Sequence, residues 1–165
     1  MDNCFFYKIC VYSRSFAEKF MYFKIKEPAS KEEFKRYYHL RWKLLRAPWN
    51  QAEGSEVDDI EDQCFHIMAV DDKNEVIGIA RLQFNSTTEV QIRYKAVTES
   101  YERQGIGREL IKAVERRAKE SSHEYIVLDA REPAVGFYQK LGYAVIEKSY
   151  LLFDEIQHYR MTKNL

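Results

Sequence analysis

No basic surplus marks this chain: Lys and Arg total 26, and so do Asp and Glu. Proteins held to nucleic acid through phosphate contacts carry such a surplus, so no nucleic-acid partner is expected. Cysteine is scarce as well. Cys4, Cys10 and Cys64 are an odd number without metal-site spacing, and they read as free thiols of a reducing compartment. No metal is expected. No apolar run approaches the roughly 18 residues that cross a bilayer. No secretory leader is expected, because Asp2, Asn3, Lys8 and Arg14 break up the first apolar stretch. These absences exclude membrane-spanning and disulfide-stapled classes and leave a cytoplasmic globular protein as the expectation. With 45% apolar and 32% charged residues over 165 positions, the chain has the material for one packed core.

The first twenty residues are aromatic and alternate poorly, so 1–20 reads as an N-terminal extension and 21–165 as the domain. Residues 21–26 predict a strand. Ser30-Lys-Glu-Glu33 is a capping box that starts a helix at Lys31, with Phe34, Tyr38, Trp42 and Leu45 on one face and Pro48 ending it. An acidic loop follows, with Glu53, Glu56, Asp58, Asp59, Glu61 and Asp62 and no basic residue among them. Residues 64–70, 76–84 and 90–97 read as strands separated by turns. A helix over 105–121 has Ile106, Leu110, Ala113, Val114 and Ala118 as its apolar face. A short strand at 125–128, a short helix at 133–141 and strands at 143–147 and 156–161 complete the order β-α-β-β-β-α-β-α-β-β. That order predicts a single α/β domain with a mixed sheet.

The most informative stretch is Tyr101-Glu-Arg-Gln-Gly-Ile-Gly-Arg-Glu-Leu-Ile111. A Gly-X-Gly pair stands between a strand and an amphipathic helix. Free backbone N–H groups and the positive end of the helix dipole make such a junction a phosphate site. No Gly-Lys-Ser/Thr follows the pair, and no third Gly completes a dinucleotide fingerprint.

A second motif gives that phosphate a context. Leu128-Asp-Ala-Arg-Glu-Pro-Ala-Val-Gly-Phe-Tyr-Gln-Lys-Leu-Gly-Tyr143 resembles the Ala-Arg-x-x-Ala-x-x-Phe-Tyr-x-x-x-Gly-Phe/Tyr stretch of the GCN5-related N-acetyltransferase (GNAT) family. Glu102-Arg-Gln-Gly-Ile-Gly107 resembles that family's pyrophosphate loop. It departs only in placing Glu102 where Gln or Arg is usual. The resemblance runs from about Met21 to Leu165. Leu40-Arg41, Asn50-Gln51 and Ile156-Gln-His158-Tyr-Arg-Met161 are also similar to the ElaA-like subgroup.

The resemblance implies a GNAT fold, in which the strand before the loop splays from the next parallel strand. It implies acetyl-CoA as co-substrate, with main chain at Ala96, Val97 and Thr98 receiving the pantetheine arm. Arg103, Gln104, Gly105, Ile106, Gly107 and Arg108 would hold the pyrophosphate. A backbone N–H near Val97 would stabilise the oxyanion, and Tyr138 would serve the leaving thiolate as general acid. The acceptor is an amine, and an amine needs a base to remove its proton. Glu89, His66 and His158 are the candidates, with His158 favoured. Arg41 and Trp49 are candidates for substrate contacts, and the acidic loop predicts attraction of a cationic acceptor. The terminal strand at 156–161 offers an edge for a homodimer. The expected function is N-acetyl transfer to a primary amine by direct attack on the thioester. The alternative is a non-catalytic acyl-CoA-binding module.

Overall fold

The computed structural model describes the backbone at residues 5–11 and 19–165, and side chains from Tyr22 onward. Residues 1–4 and 12–18 of the expected extension lie outside the described residues. Strands β1 (Phe5–Val11) and β2 (Lys19–Lys26) pair antiparallel. Helix α1 (Lys31–Leu45) leads to β3 (Phe65–Asp71), β4 (Val76–Phe84) and β5 (Glu89–Val97). Helix α2 (Ile106–Glu120), β6 (Tyr125–Arg131), α3 (Val135–Gln139), β7 (Ala144–Leu152) and β8 (Ile156–Asn164) follow. The strands form one open sheet in the order β1-β2-β3-β4-β5-β6-β8-β7. Every neighbouring pair is antiparallel except β5 and β6.

The capping box works as its residue types require. The Ser30 hydroxyl accepts from the Glu33 N–H at 3.2 Å, while the Glu33 carboxylate takes the Ala29 N–H at 2.8 Å and the Lys26 ammonium at 2.6 Å. Alternation along the central strands then divides the core. Ile67 and Ala69 of β3 face α2, whose Ile106, Leu110, Ile111 and Val114 are buried. Met68 and Val70 face α1 with Tyr37 and Leu40. Each fully buried aliphatic side chain contributes about 1.5–3 kcal/mol, so the apolar face of α2 seats that helix on the sheet. The buried stripe of α1 is Tyr37, Leu40 and Arg41, whereas the expected Phe34, Tyr38, Trp42 and Leu45 are only half-buried.

The last hairpin is longer than expected. β7 runs on to Leu152, and its turn places Phe153 and Asp154 at φ 54° and 58°. Both residues are in the left-handed region, which matches the twist of tight hairpins. The terminal strand presents no free edge, contrary to the edge expected at 156–161. β8 is bonded to β6 on one side and to β7 on the other. The outer strand at that end of the sheet is β7, and it exposes Val145, Ile146, Tyr150 and Leu151. Among the described residues no helix is long and apolar enough to cross a membrane.

Candidate active site

The site begins where two strands part. β5 and β6 run in parallel register from Glu89↔Tyr125 to Ile92↔Leu128, and the pairing stops there. On the other side of β5 the register with β4 slips between Ile79 and Arg81. The residue at the slip is Tyr94, at φ 53°. A bulge of this kind bends a strand and ends its pairing. β6 continues to Arg131 against β8 alone, so the β5 edge beyond Ile92 faces a gap.

Two cavities meet in that gap. The larger, about 1200 Å³, is lined by Ala96, Val97, the loop from Glu102 to Gly105, Gly107 and Arg108. Gly105 at φ 84° and Arg103 at φ 58° turn the loop into the helix. The Glu109 N–H is the first to bond back, to the Gly105 carbonyl at 3.1 Å. The amides of Ile106, Gly107 and Arg108 therefore have no helical acceptor, and no side chain caps the end. Gly107 is set close to Lys95: a β-carbon there would stand 3.0 Å from the lysine Nζ. Arg103 and Arg108 are exposed at the rim. Thr98 is placed differently from its expectation. Its N–H is held by the Ile77 carbonyl at 2.9 Å, and its carbonyl accepts from Tyr101 at 2.9 Å.

The smaller cavity, about 490 Å³, is lined by residues of β5, β6, β7, β8, α3 and the end of α1, including Tyr138 and His158. Tyr138 is buried between Phe137 and Tyr143, with ring centroids 5.0 and 5.7 Å away. Among the described residues its hydroxyl has no hydrogen-bond partner, and burial pushes its pKa up. His158 is buried as well. Its Nδ1 lies 2.9 Å from the Ile156 carbonyl, and its ring stacks on Tyr150 at 4.6 Å. Burial lowers its pKa, which favours the neutral ring.

Other expected residues fall outside these walls. Glu89 opens β5, accepts from Asn85 at 2.7 Å, lies 3.8 Å from Arg160 and lines neither cavity. His66 packs among Phe34, Tyr37 and Tyr38, and its Nε2 is 2.9 Å from the Glu61 carbonyl. Trp49 stacks on Phe153 at 6.1 Å, at the β7–β8 turn. Arg41 is fully buried. Both its terminal nitrogens are bound by Glu61, and its guanidinium lies 3.6 Å from the Tyr94 ring centre. It supports the bulge from beneath instead of reaching the cavity surface.

The acidic loop does not face the cleft as a free charged patch, which corrects the expectation of a cation-attracting surface. Asp58 bonds Arg81 at 2.7 and 2.9 Å, and Glu61 bonds both Arg81 and Arg41. The Arg81 hydrogen bonds hold Asp58 at about 2, below the usual carboxylate range. Glu56 is buried on the Gly54 N–H at 2.8 Å. Asp58 and Glu61 thus neutralise arginines inside the fold, while Glu53, Asp59 and Asp62 are exposed and line neither cavity.

The sequence reading gave no role to Lys95, Arg93, Arg131 or Arg46. Lys95 lines both cavities, with its Nζ 4.3 Å from the Phe137 ring centre. Among the described residues it has no ion-pair partner within contact. Burial lowers its pKa to about 8, with the more distant Glu102 opposing the shift. Strict alternation would set Lys95 on the Arg93 face; the slip at Tyr94 turns it to the α2 side instead, against Gly107 and Phe137.

Comparisons with known proteins agree with this geometry. The model of the acetyltransferase (GNAT) family matches residues 34–143. A Bacillus subtilis (strain 168) protein named as an acetyltransferase is 33% identical over 132 residues, covering 76% of this chain and 88% of the relative. The crystal structure of Escherichia coli ElaA superposes with a TM-score of 0.72 at 18% identity, over 87% of this chain and 99% of that one. An aminoglycoside 6′-N-acetyltransferase complexed with coenzyme A superposes with a TM-score of 0.70 at 17% identity, over 85% and 96%. At such identities the two structures share the fold, and the ElaA likeness extends no further. Acetyl-CoA is the co-substrate of this kind of enzyme, and free helix amides, a close-set Gly107 and an unpaired Lys95 suit its phosphates. By its matched span and its curated relative, the chain belongs to the acetyltransferase (GNAT) family.

Proposed function

We propose that this protein is an N-acetyltransferase in which a primary amine attacks the thioester of acetyl-CoA directly. The observation that carries the reading is the meeting of two cavities at the gap between β5 and β6, one beside free helix amides and one beside Tyr138. Acetyl-CoA brings an acyl group already activated for transfer. The chain binds its pyrophosphate on the amides of Gln104 to Arg108, with Arg103, Arg108 and Lys95 adding charge. Ala96 and Val97 offer main-chain groups to the pantetheine arm. The Tyr138 hydroxyl donates to the sulfur as negative charge gathers there. The proton that the amine loses ends on the sulfur, which leaves as the thiol; His158, in the same cavity with its Nδ1 on the Ile156 carbonyl, is the candidate to carry it.

Lys95 gives the binding step a pH dependence. In the free protein burial favours the neutral amine, whereas a bound diphosphate favours the ammonium. Affinity for coenzyme A is therefore greatest below about pH 8 and weakens above it, by up to about tenfold per pH unit. Calorimetry across pH checks this, and Lys95→Met is expected to flatten the dependence.

A second reading, an acyl-CoA-binding module without turnover, is favoured by one observation. Asp129 is the single carboxylate lining the smaller cavity, and it is already bonded by Arg160 at 2.9 Å, Gln91 at 3.1 Å and Ser149 at 2.9 Å. Thiol release from acetyl-CoA with a panel of amines separates the readings. Saturable coenzyme A binding with amine-dependent release supports the transferase. Binding with no release from any amine supports the module, and an absence of binding overturns both.

A further inference from the structure

The smaller cavity is cationic. Four of its lining side chains are basic: Arg46, Arg93, Lys95 and Arg131. Among the described residues neither the Arg93 nor the Arg131 guanidinium makes a hydrogen bond or an ion pair. Arg46 spends its Nε on the Ser55 carbonyl at 3.2 Å and has no acidic partner. Arg46 and Arg93 flank one ring, Tyr94, at 5.6 and 5.3 Å from its centre. Arg131 is close enough to Arg46 to be disfavoured as a cation by it, after burial. The lone lining carboxylate, Asp129, is held by three donors, among them Arg160.

Like charges gathered in a half-buried recess repel one another, and among the described residues nothing discharges them. Elsewhere the same fold pairs its inward arginines with care: Arg41 and Arg81 share Glu61 and Asp58. The contrast assigns the missing negative charge to a ligand. Given the transferase reading, on which this inference rests, that ligand is the acceptor. We propose that the smaller cavity selects an amine that also bears an anionic group, a carboxylate or a phosphate, which Arg93 and its cationic neighbours bind while the amine faces the gap.

The selection also serves the chemistry. A cationic wall lowers the pKa of an amine beside it and so raises the neutral, attacking fraction. The same wall excludes polyamines, the class that a free acidic loop would have favoured. The anion on the substrate offsets the wall's charge and fixes the orientation of the amine, for which guanidinium forks are suited.

The test uses amine pairs that differ by the anion: phosphoethanolamine against ethanolamine, and L-glutamate against its diamide, with spermidine as the polycation. Thiol release from acetyl-CoA gives kcat/KM, and calorimetry on the coenzyme A-loaded protein gives binding. Each anionic member is expected to exceed its twin by about tenfold to a hundredfold, with spermidine the poorest. Arg93→Gln closes most of that gap through KM, Arg93→Lys restores part of it, and coenzyme A affinity is unchanged in both, because Arg93 lines only the smaller cavity. Anionic amines that bind without thiol release uphold the charge selection while removing the transferase reading. Turnover of ethanolamine or spermidine with no gain from the anion keeps the transferase and overturns the selection. Failure of the anionic amines to bind at all overturns it too.

Discussion

Glu61→Ala is expected to destabilise the protein by about 3–5 kcal/mol, the cost of leaving buried charge without its partner. Glu61 is 7% exposed, and it accepts from Arg41, from Arg81 at 2.6 Å and from the Asp58 N–H at 3.2 Å. Removing its carboxylate leaves a fully buried Arg41 with no anion and Arg81 with Asp58 alone. A loss of that size lowers the thermal midpoint by roughly 6–20 °C for a chain of this length. Calorimetric or circular-dichroism melting reads it directly. The combined replacement of Glu61, Arg41 and Arg81 by apolar residues of similar volume should recover much of the loss, because no charge is then buried. A single variant within 1 kcal/mol of the parent would show that the cluster is wetter and looser than its hydrogen bonds indicate.

The same cluster connects stability to the cleft. Tyr94 sits on Arg41 at 3.6 Å and on Arg81 at 4.7 Å, and its hydroxyl reaches Asp58 at 3.4 Å. A tyrosine at positive φ is held there by its surroundings, since its own backbone preference opposes it. The charge cluster beneath therefore holds the bulge that parts β5 from β6. The bulge was illegible in the sequence for that reason: no glycine announces it, and its supports come from α1, β4 and the acidic loop. The loop misled in a related way. Its carboxylates looked unpaired because their partners, Arg41 and Arg81, stand 20 residues from Glu61 on either side.

Features fixed by local chemistry were readable. The capping box set the start of α1, and the Gly pair set the start of α2 with Gly105 as its cap. The Gly-Phe-Tyr stretch put Tyr138 on a short helix beside the gap. What stayed hidden depended on neighbours distant in the chain. β6 runs three residues past its expected end because β8 lies alongside, and that extension carries Arg131 into the cleft. Candidate bases were chosen by residue type: Glu89 is at the closed end of the strand, whereas His158 lines the smaller cavity with its Nδ1 on backbone. Arg93 and Lys95 lie on the same strand as Glu89 but beyond the point where pairing stops, and the slip turns Lys95 to the other face.

Tyr138→Phe is expected to lower kcat by about a hundredfold or more, with little change in stability or in coenzyme A affinity. The two halves of this expectation have one cause. Among the described residues the Tyr138 hydroxyl has no protein partner, so deleting it orphans no buried donor or acceptor. The aromatic contacts with Phe137 and Tyr143 survive in phenylalanine. Burial raises the phenol pKa, so the proton is present across the whole working range. A thiol of ordinary pKa, about 8.5, is the stronger acid of the two. Complete transfer from Tyr138 to the leaving sulfur is thus uphill, and a hydrogen bond that strengthens as charge develops is the favoured contribution. An enzyme of this design shows no alkaline limb from Tyr138 below about pH 10, and the phenylalanine variant loses rate uniformly across pH. Steady-state kinetics from acid to alkaline pH, with melting and coenzyme A calorimetry on the same samples, measure all three quantities. Undiminished kcat in the variant would remove Tyr138 from the chemistry and leave it as a wall of the cavity.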